Sequence, residues 1–443
     1  VGKEWNRLNQ QTGRNNISFA DTQQLDGSGR LRVSMPLIQG SQKFEYTNHS
    51  HDMEEKIVGT ASSTHLPLES SVLMSVPNVG DEIIRQTHEW FDYQPLNNQE
   101  NAVTGVFGNH EPGILKERGY SNGVDGLEFR QHNDKYWIVL KSSSGGDVPT
   151  EQAIPQEEWN IDRFQLLTKD KSFNPSGKYI DFSKFNILHL DIIWLGGDRS
   201  RVAFKHDGII YDAHEFLNAG KYTRVFMQTG SLPIRYRIKN ESSTSGGSMK
   251  QICYTTRSEG GQDKFGIPQV AFILNRPVAQ ATVVNGVPNL LSFTPLLGLM
   301  PRQTFHGLPN RAKARMVSFE LLIKGNVPAF WALLHDPVFG TNPTYSPVAD
   351  ETEYMPSMMS YATGTVALNP ITNAGHVHNF GMATADVKGD TSGGGDVSTR
   401  ILINRGTFDH LDDLAADRYF LAVAGDGGAI AEASAVLRWA EIF

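Results

Sequence analysis

Cysteine is nearly absent: Cys253 is the single one in 443 residues. An intrachain disulfide is thereby excluded, as is any zinc or iron–sulfur site built on several thiolates. Its context, KQICYTTRSE, reads as a β-strand and predicts a buried structural thiol rather than a nucleophile. Long apolar runs are missing too. No stretch of about 18 apolar residues occurs, so no membrane-spanning helix is expected. The polar opening VGKEWNRLNQQTGRNN lacks the apolar segment of a signal peptide, so none is expected. Positive charge is in deficit, with 40 Lys and Arg against 48 Asp and Glu and a net charge of −8. Electrostatic binding of nucleic acid needs a basic footprint, so no direct nucleic-acid binding is expected. With 39% hydrophobic and 20% charged residues, the chain still has the composition of a folded protein.

Helical periodicity is the next absence. No window of a dozen residues carries convincing i, i+3, i+4, i+7 apolar spacing, and the best helical segment is a short turn at HLDDLAAD, His410 to Asp417. Period-two alternation recurs instead. In SLPIRYRIK, Leu232, Ile234, Tyr236 and Ile238 fall on one face and Arg235, Arg237 and Lys239 on the other. Successive strand side chains point to opposite faces, so this strand has one buried and one basic side. RMVSFELLIKG places Val317, Phe319, Leu321 and Ile323 together. NILHLDIIWLGG aligns Leu188, Leu190, Ile192 and Trp194 and is apolar on both faces, as a central strand would be. In GRLRVSM, Leu31, Val33 and Met35 alternate with Arg30, Arg32 and Ser34, which predicts a strand launched by the DGSG turn and ended by Pro36.

Turn residues are abundant, with 42 Gly and 21 Pro. Ser-Gly runs at 141–149, 240–250 and 388–398 read as surface loops between strands. Together these features predict an all-β fold: a β-sandwich or jelly-roll-like arrangement with long Gly/Ser loops, an extended N-terminal arm and few short helices. Residues 1–24 are assigned to the arm, 25–350 to a main β domain of one sandwich or two packed ones, and 351–443 to a C-terminal β domain. The last boundary follows a shift toward Ala and Gly after FWALLHDPVFGTNPTYSP.

Several stretches invite a chemical reading. GNHE (Gly108 to Glu111) and GHVH (Gly375 to His378) match metal-ligand turns of two-metal phosphoesterases, where Asn and His are suitable ligands. Such a site also needs an Asp-x-His and a Gly-Asp-x-x-Asp before the GNHE turn, and neither is present, so chance accounts for the match. NHSHDMEE clusters His49, His51, Asp52, Glu54 and Glu55 and is read as a solvated acidic loop. THEWFDYQP (87–95) and NVPAFWALLHDP (326–337) offer aromatics for a sugar groove or, more commonly, for packing. Arg302, Arg311, Lys313 and Arg315 form a basic stretch, read as a loop edge. No phosphate-binding loop, G-x-S-x-G elbow or H-E-x-x-H occurs. No residue is therefore assigned a catalytic, cofactor-binding or metal role, and no cofactor is expected.

Seven segments in one order, SGRLRVS, ESSVLMSV, RQTHEWFDYQP, WNIDRF, IIWLGGDRSRVAF, LPIRYRI and RSEGG, resemble a family of virion structural proteins of tailed bacteriophages. The resemblance runs from about Ser28 to Gly261, and the closing SAVLRWAEIF is similar to the last strand of such proteins. It implies a non-enzymatic particle component of the tail, baseplate, fibre base or capsid surface. Copies of itself and other virion proteins would be its partners, and the virion its location. A receptor- or glycan-binding attachment protein is the alternative within the virion. A metal-dependent phosphoesterase or polysaccharide depolymerase is the third reading.

Overall fold

In a computed structural model the described residues run from 35 to 442, excepting 50–51, 146–147, 166–172, 196, 262–265, 303, 307, 311–312, 325–326, 350–356, 366–367, 384–389, 397–401 and 404–417. The N-terminal arm, most of the GRLRVSM strand and the HLDDLAAD turn lie outside them. Among the described residues, helical structure is limited to three-residue turns at Pro67–Glu69, Gln156–Glu158 and Leu290–Ser292. The all-β expectation holds. No helix among them is long and apolar enough to cross a membrane.

The chain divides into two compact units, Val1–Gln262 and Asp263–Phe443. This differs from the boundary read near 350. The reason is pairing: Lys313–Lys324 lies beside Ile430–Ile442, and Ala329–His335 beside Tyr419–Gly425, so residues on both sides of 350 share sheets. The composition shift is therefore not a domain edge.

Among the described residues unit 1 holds fifteen strands. They are β1 (Leu37–Lys43), β2 (Met53–Val58), β3 (Ser62–Leu66), β4 (Ser71–Val76), β5 (Glu82–Thr87), β6 (Gln99–Val106), β7 (Ile114–Ser121) and β8 (Gly126–His132). The rest are β9 (Lys135–Ser142), β10 (Thr150–Pro155), β11 (Asn186–Ile192), β12 (Arg199–His206), β13 (Ile209–Leu217), β14 (Ile234–Asn240) and β15 (Gly247–Ser258). One sheet runs β13-β12-β11-β6-β15-β4-β3, with β1 also paired to β15; the other runs β10-β9-β8-β7-β14-β5-β2. Tight turns join neighbours. Asn133 and Asp134 (φ 48° and 61°) close the β8–β9 hairpin, and Asp207 and Gly208 (φ 51° and 80°) close β12–β13. Positive φ at both positions gives a turn whose twist matches the strands.

The inward faces of both sheets share one apolar core. As expected, Leu188, Leu190 and Ile192 of β11 are buried there with Leu232, Ile234, Tyr236 and Ile238, and β11 sits between β12 and β6. Trp159 and Phe164 of WNIDRF join Phe129, Phe182 and Phe204 in an aromatic knot, with Phe182 and Phe204 centroids 4.6 Å apart. Asp162 holds that loop by accepting from the Phe164 and Ser176 amides, both at 2.9 Å. Cys253 lies on β15 as a free thiol, half-buried rather than buried. Its neighbour Tyr254 takes the inward position and leaves the thiol on the other face.

Unit 2 also stacks two sheets about an apolar core. β16 (Ile267–Val278) pairs with Ile430–Ile442, which pairs with Lys313–Lys324. Phe319, Leu321 and Ile323 are buried as predicted, but Val317 is exposed. A register shift between Met316 and Ser318 turns Val317 outward and puts Met316 in the core.

Candidate functional site

The outer face of the second sheet in unit 1 is a lattice of charge. Antiparallel register sets Arg237 beside Glu117, and Glu117 beside Arg130, on adjacent strands β14, β7 and β8. Lys141 on β9 lies opposite Gly126 and beside Glu151 of β10. Gly126 has no side chain to fill the row, so Lys141 reaches across to Glu128 at 2.7 Å and Glu117 at 3.5 Å. Arg237 bridges Glu82 (2.6 Å) and Glu117 (3.0 Å). Arg130 bridges Glu117 (2.6 Å) and Glu151 (3.0 Å). Further along, the Arg235 guanidinium donates to Gln86 at 2.7 Å, and the Gln86 amide donates to Glu54.

These groups are buried although they sit on an outer face, with Glu117 1%, Glu128 2% and Lys141 3% exposed. Burial alone would raise the Glu117 carboxyl, but Lys141, Arg130 and Arg237 outweigh it and hold the group well below the usual carboxylate range. Burial likewise works against the Lys141 ammonium, and Glu117 with Glu128 restores and raises it. Glycoside cleavage needs one carboxyl that keeps its proton near neutral pH beside a second that is ionised. Glu117, at the centre of the lattice, is tuned away from the proton-donor role.

Three more cations point inward between the sheets. Arg85 pairs with Glu55 and donates to Gln251 at 2.8 Å. The Lys116 ammonium meets Glu111 at 2.6 Å and the Phe107 carbonyl at 2.6 Å. Arg118 has the Asn186 side-chain oxygen and the rings of Phe107 and Phe129, 4.9 and 5.9 Å from its guanidinium carbon. Burial lowers Arg118 to about 10.

The structure disperses the motifs that invited a chemical reading. GNHE is the clamp on Lys116: Glu111 supplies the counter-charge, the Asn109 carbonyl accepts at 3.1 Å, and His110 packs on Tyr136 at 4.8 Å. In unit 2, His376 and His378 lie on the strand His376–Ala383 with centroids 4.9 Å apart, and His378 lies 5.4 Å from His335. Among the described residues no three His, Cys, Asp or Glu side chains converge to hold a metal ion.

NHSHDMEE is not a solvated acidic loop: Glu54 and Glu55 lie on β2, Glu54 is buried, and the acids have partners, with Asp52 accepting from Gln42 (2.5 Å), Glu54 from Gln86 and Glu55 from Arg85. His51 lies outside the described residues. Trp90, Phe91 and Tyr93 are buried, so the 87–95 aromatics pack rather than line a groove. Phe319 and Trp331 pack in the same way at 4.7 Å. Lys313 is buried, Arg302 donates to the Ser357 carbonyl at 3.3 Å, and Arg311 lies outside the described residues.

The basic side read from the alternation is that of Arg235 and Arg237. It is satisfied within the chain, because Glu82, Gln86 and Glu117 stand on the flanking strands. The acidic half of this lattice escaped sequence reading. Its signal, opposite charges at alternating positions of β7, β8, β9 and β14, becomes visible only once the strand order is known.

No family model matches the chain, and no curated protein matches it in sequence. Among solved structures it is similar to an endo-β-1,4-glucuronan lyase from the fungus Trichoderma reesei, at 8% identity over 50% of this chain and 95% of that one, TM-score 0.34. A protein of unknown function from Shewanella oneidensis gives 10% identity over 57% and 100%, TM-score 0.33. A legume lectin-like domain from Entamoeba histolytica gives 9% over 48% and 95%, TM-score 0.29. Values this low assign no activity to the chain.

Proposed function

We propose that this chain is a non-catalytic structural component of a tailed-phage virion, built to associate with copies of itself. The observation that carries the reading is an unpartnered apolar surface at the start of unit 2. β16 is a sheet edge among the described residues, and its Val270, Phe272 and Leu274 are 47%, 60% and 58% exposed. The adjoining ribbon β17 (Val283–Val284) and β18 (Val287–Pro288) exposes all three of its valines. An open edge with an apolar stripe is a template for another strand, and soluble monomers ordinarily blunt such edges.

A second copy fits this edge. Antiparallel self-pairing of β16 centred on Phe272 sets Val270 opposite Leu274, Gln269 opposite Asn275 and Pro268 opposite Arg276, with no like charges facing. The order of virion-like segments in unit 1 supports the particle assignment. Sedimentation of the purified chain tests the reading. A concentration-dependent oligomer is expected, with Phe272→Lys shifting it toward monomer. A wild-type chain that stays monomeric at micromolar concentration refutes it.

A further inference from the structure

One cavity lies in unit 1 at the rim of the charged lattice, which contributes Glu151 to its wall. It opens between the β9–β10 end of the second sheet and residues 222–226, with a volume of about 100 Å³. Its floor is apolar, from Leu140 and Phe226, and its walls carry Arg224, Tyr222, Gln152 and Glu151. Ser142 and Ser144 line one side. The Ser144 hydroxyl donates to the Val225 carbonyl at 2.6 Å and ties that side to the opposite wall. Asp125 holds both sides from below, accepting from the Ser143 amide at 2.9 Å and the Gln228 amide at 3.0 Å. Gly145 lies directly under the Arg224 guanidinium, since a Cβ there would come within 2.6 Å of it. The walls are thus tied in place by the chain's own hydrogen bonds.

The polar groups facing the cavity are unequally used. Glu151 is neutralised by Arg130 at 3.0 Å and Lys141 at 3.7 Å. Among the described residues, Arg224, Gln152 and the Tyr222 hydroxyl have no ion-pair or side-chain hydrogen-bond partner. A guanidinium without a counter-charge presents a planar fork of donors that matches a carboxylate. Glu151, with lone pairs to spare, suits hydroxyl donors, and a half-exposed phenol ring beside an apolar floor suits the face of a sugar ring. We propose that this cavity binds the carboxylate-bearing end of an acidic saccharide, a uronic acid residue or a chemical equivalent. Arg224 pairs with the carboxylate, Gln152 and Glu151 take the adjacent hydroxyls, and Tyr222 covers the ring. Phosphate fits less well, because a dianion would meet one cation and the Glu151 carboxylate.

The test is calorimetric titration of the full chain with glucuronic acid, glucose, acetate and inorganic phosphate. Glucuronic acid is expected to saturate in the millimolar range or below, with glucose and acetate each weaker by about tenfold or more. Arg224→Ala is expected to weaken glucuronic acid by about tenfold or more with the melting temperature unchanged, and Gln152→Ala by a smaller factor. A uronic acid oligomer tells the source: binding as tight as the monomer or tighter assigns a polysaccharide, and binding of the monomer alone assigns a free sugar acid. No saturation by monomer or oligomer, equal affinity for glucose or acetate, tighter binding of phosphate, or indifference to both substitutions each overturns the proposal. Oligomer formation through β16 does not enter this readout, so the two proposals fail separately.

Discussion

Replacing Glu117 by Gln keeps the shape of the side chain and removes one charge from the centre of four carboxylates and four cations: Glu82, Glu117, Glu128 and Glu151 against Arg130, Lys141, Arg235 and Arg237. Three cations meet the Glu117 oxygens at 2.6, 3.0 and 3.5 Å. At an effective dielectric of about 20, each contact is worth about 5 kcal/mol of gross attraction. Mutual repulsion of the cations and the burial of all four groups cancel most of that sum. What a single deletion leaves is uncompensated buried positive charge, at a cost of about 3–5 kcal/mol. For a unit of this size that corresponds to a fall in melting temperature of about 6–20 °C.

Acid should act through the same group. The folded Glu117 carboxyl titrates well below its unfolded value, so its contribution is complete above the unfolded value near pH 4.3 and is lost as pH falls from there. Thermal melts followed by circular dichroism at pH 7 and at pH 3 to 4 measure both effects. Glu117→Gln should melt lower at pH 7 and lose part of the acid sensitivity. A loss under about 1 kcal/mol at pH 7, with the acid limb unchanged, would show that the lattice is solvated and that the cations do not depend on this carboxylate.

Two other sites give simple expectations. Among the described residues Arg118 has no carboxylate partner, so Arg118→Met should be neutral or stabilising by about 1–4 kcal/mol in chemical denaturation, whereas Arg118→Ala should destabilise through the cavity it leaves. Burial lowers the His214 ring to about 4, and its Nδ1 accepts the Asn160 amide proton at 3.1 Å, a bond the protonated ring cannot make. Its folded value lies below the unfolded one, so its contribution is present above about pH 6.5 and is lost as pH falls to about 4. The amount is roughly 2–3 kcal/mol, and His214→Asn should flatten the stability–pH curve over that window.

How much of this was legible in the amino acids follows from the range of each interaction. Alternation at 232–239 and 186–192 is local, so the strands, their buried faces and the all-β class could be read directly. The Ser-Gly run at 240–250 holds the turn between β14 and β15 for the same reason, but the run at 388–398 was misread as a loop: Asp390–Asp396 pairs as a strand with Lys313–Lys324, and only the partner strand decides that. The exposed Val317 shows the limit even of a local pattern, because a bulge is set by the partner strand. Cis-satisfaction of Arg235 and Arg237 was out of reach, since Glu82 and Glu117 are distant in sequence and only register brings them alongside. GNHE looked like a metal turn because its letters fit one; the Lys116 ammonium beside Glu111 is contributed by the following strand.

By itself the sequence determined that the chain is cysteine-poor, acidic and built of short strands, because composition and period-two patterning act on every residue independently of its partners. Tertiary structure decided the division at Gln262, the closed charge lattice, the open β16 edge and the Arg224 cavity. Each of these depends on which strand lies beside which, and on where a loop from one part of the chain meets a sheet edge from another.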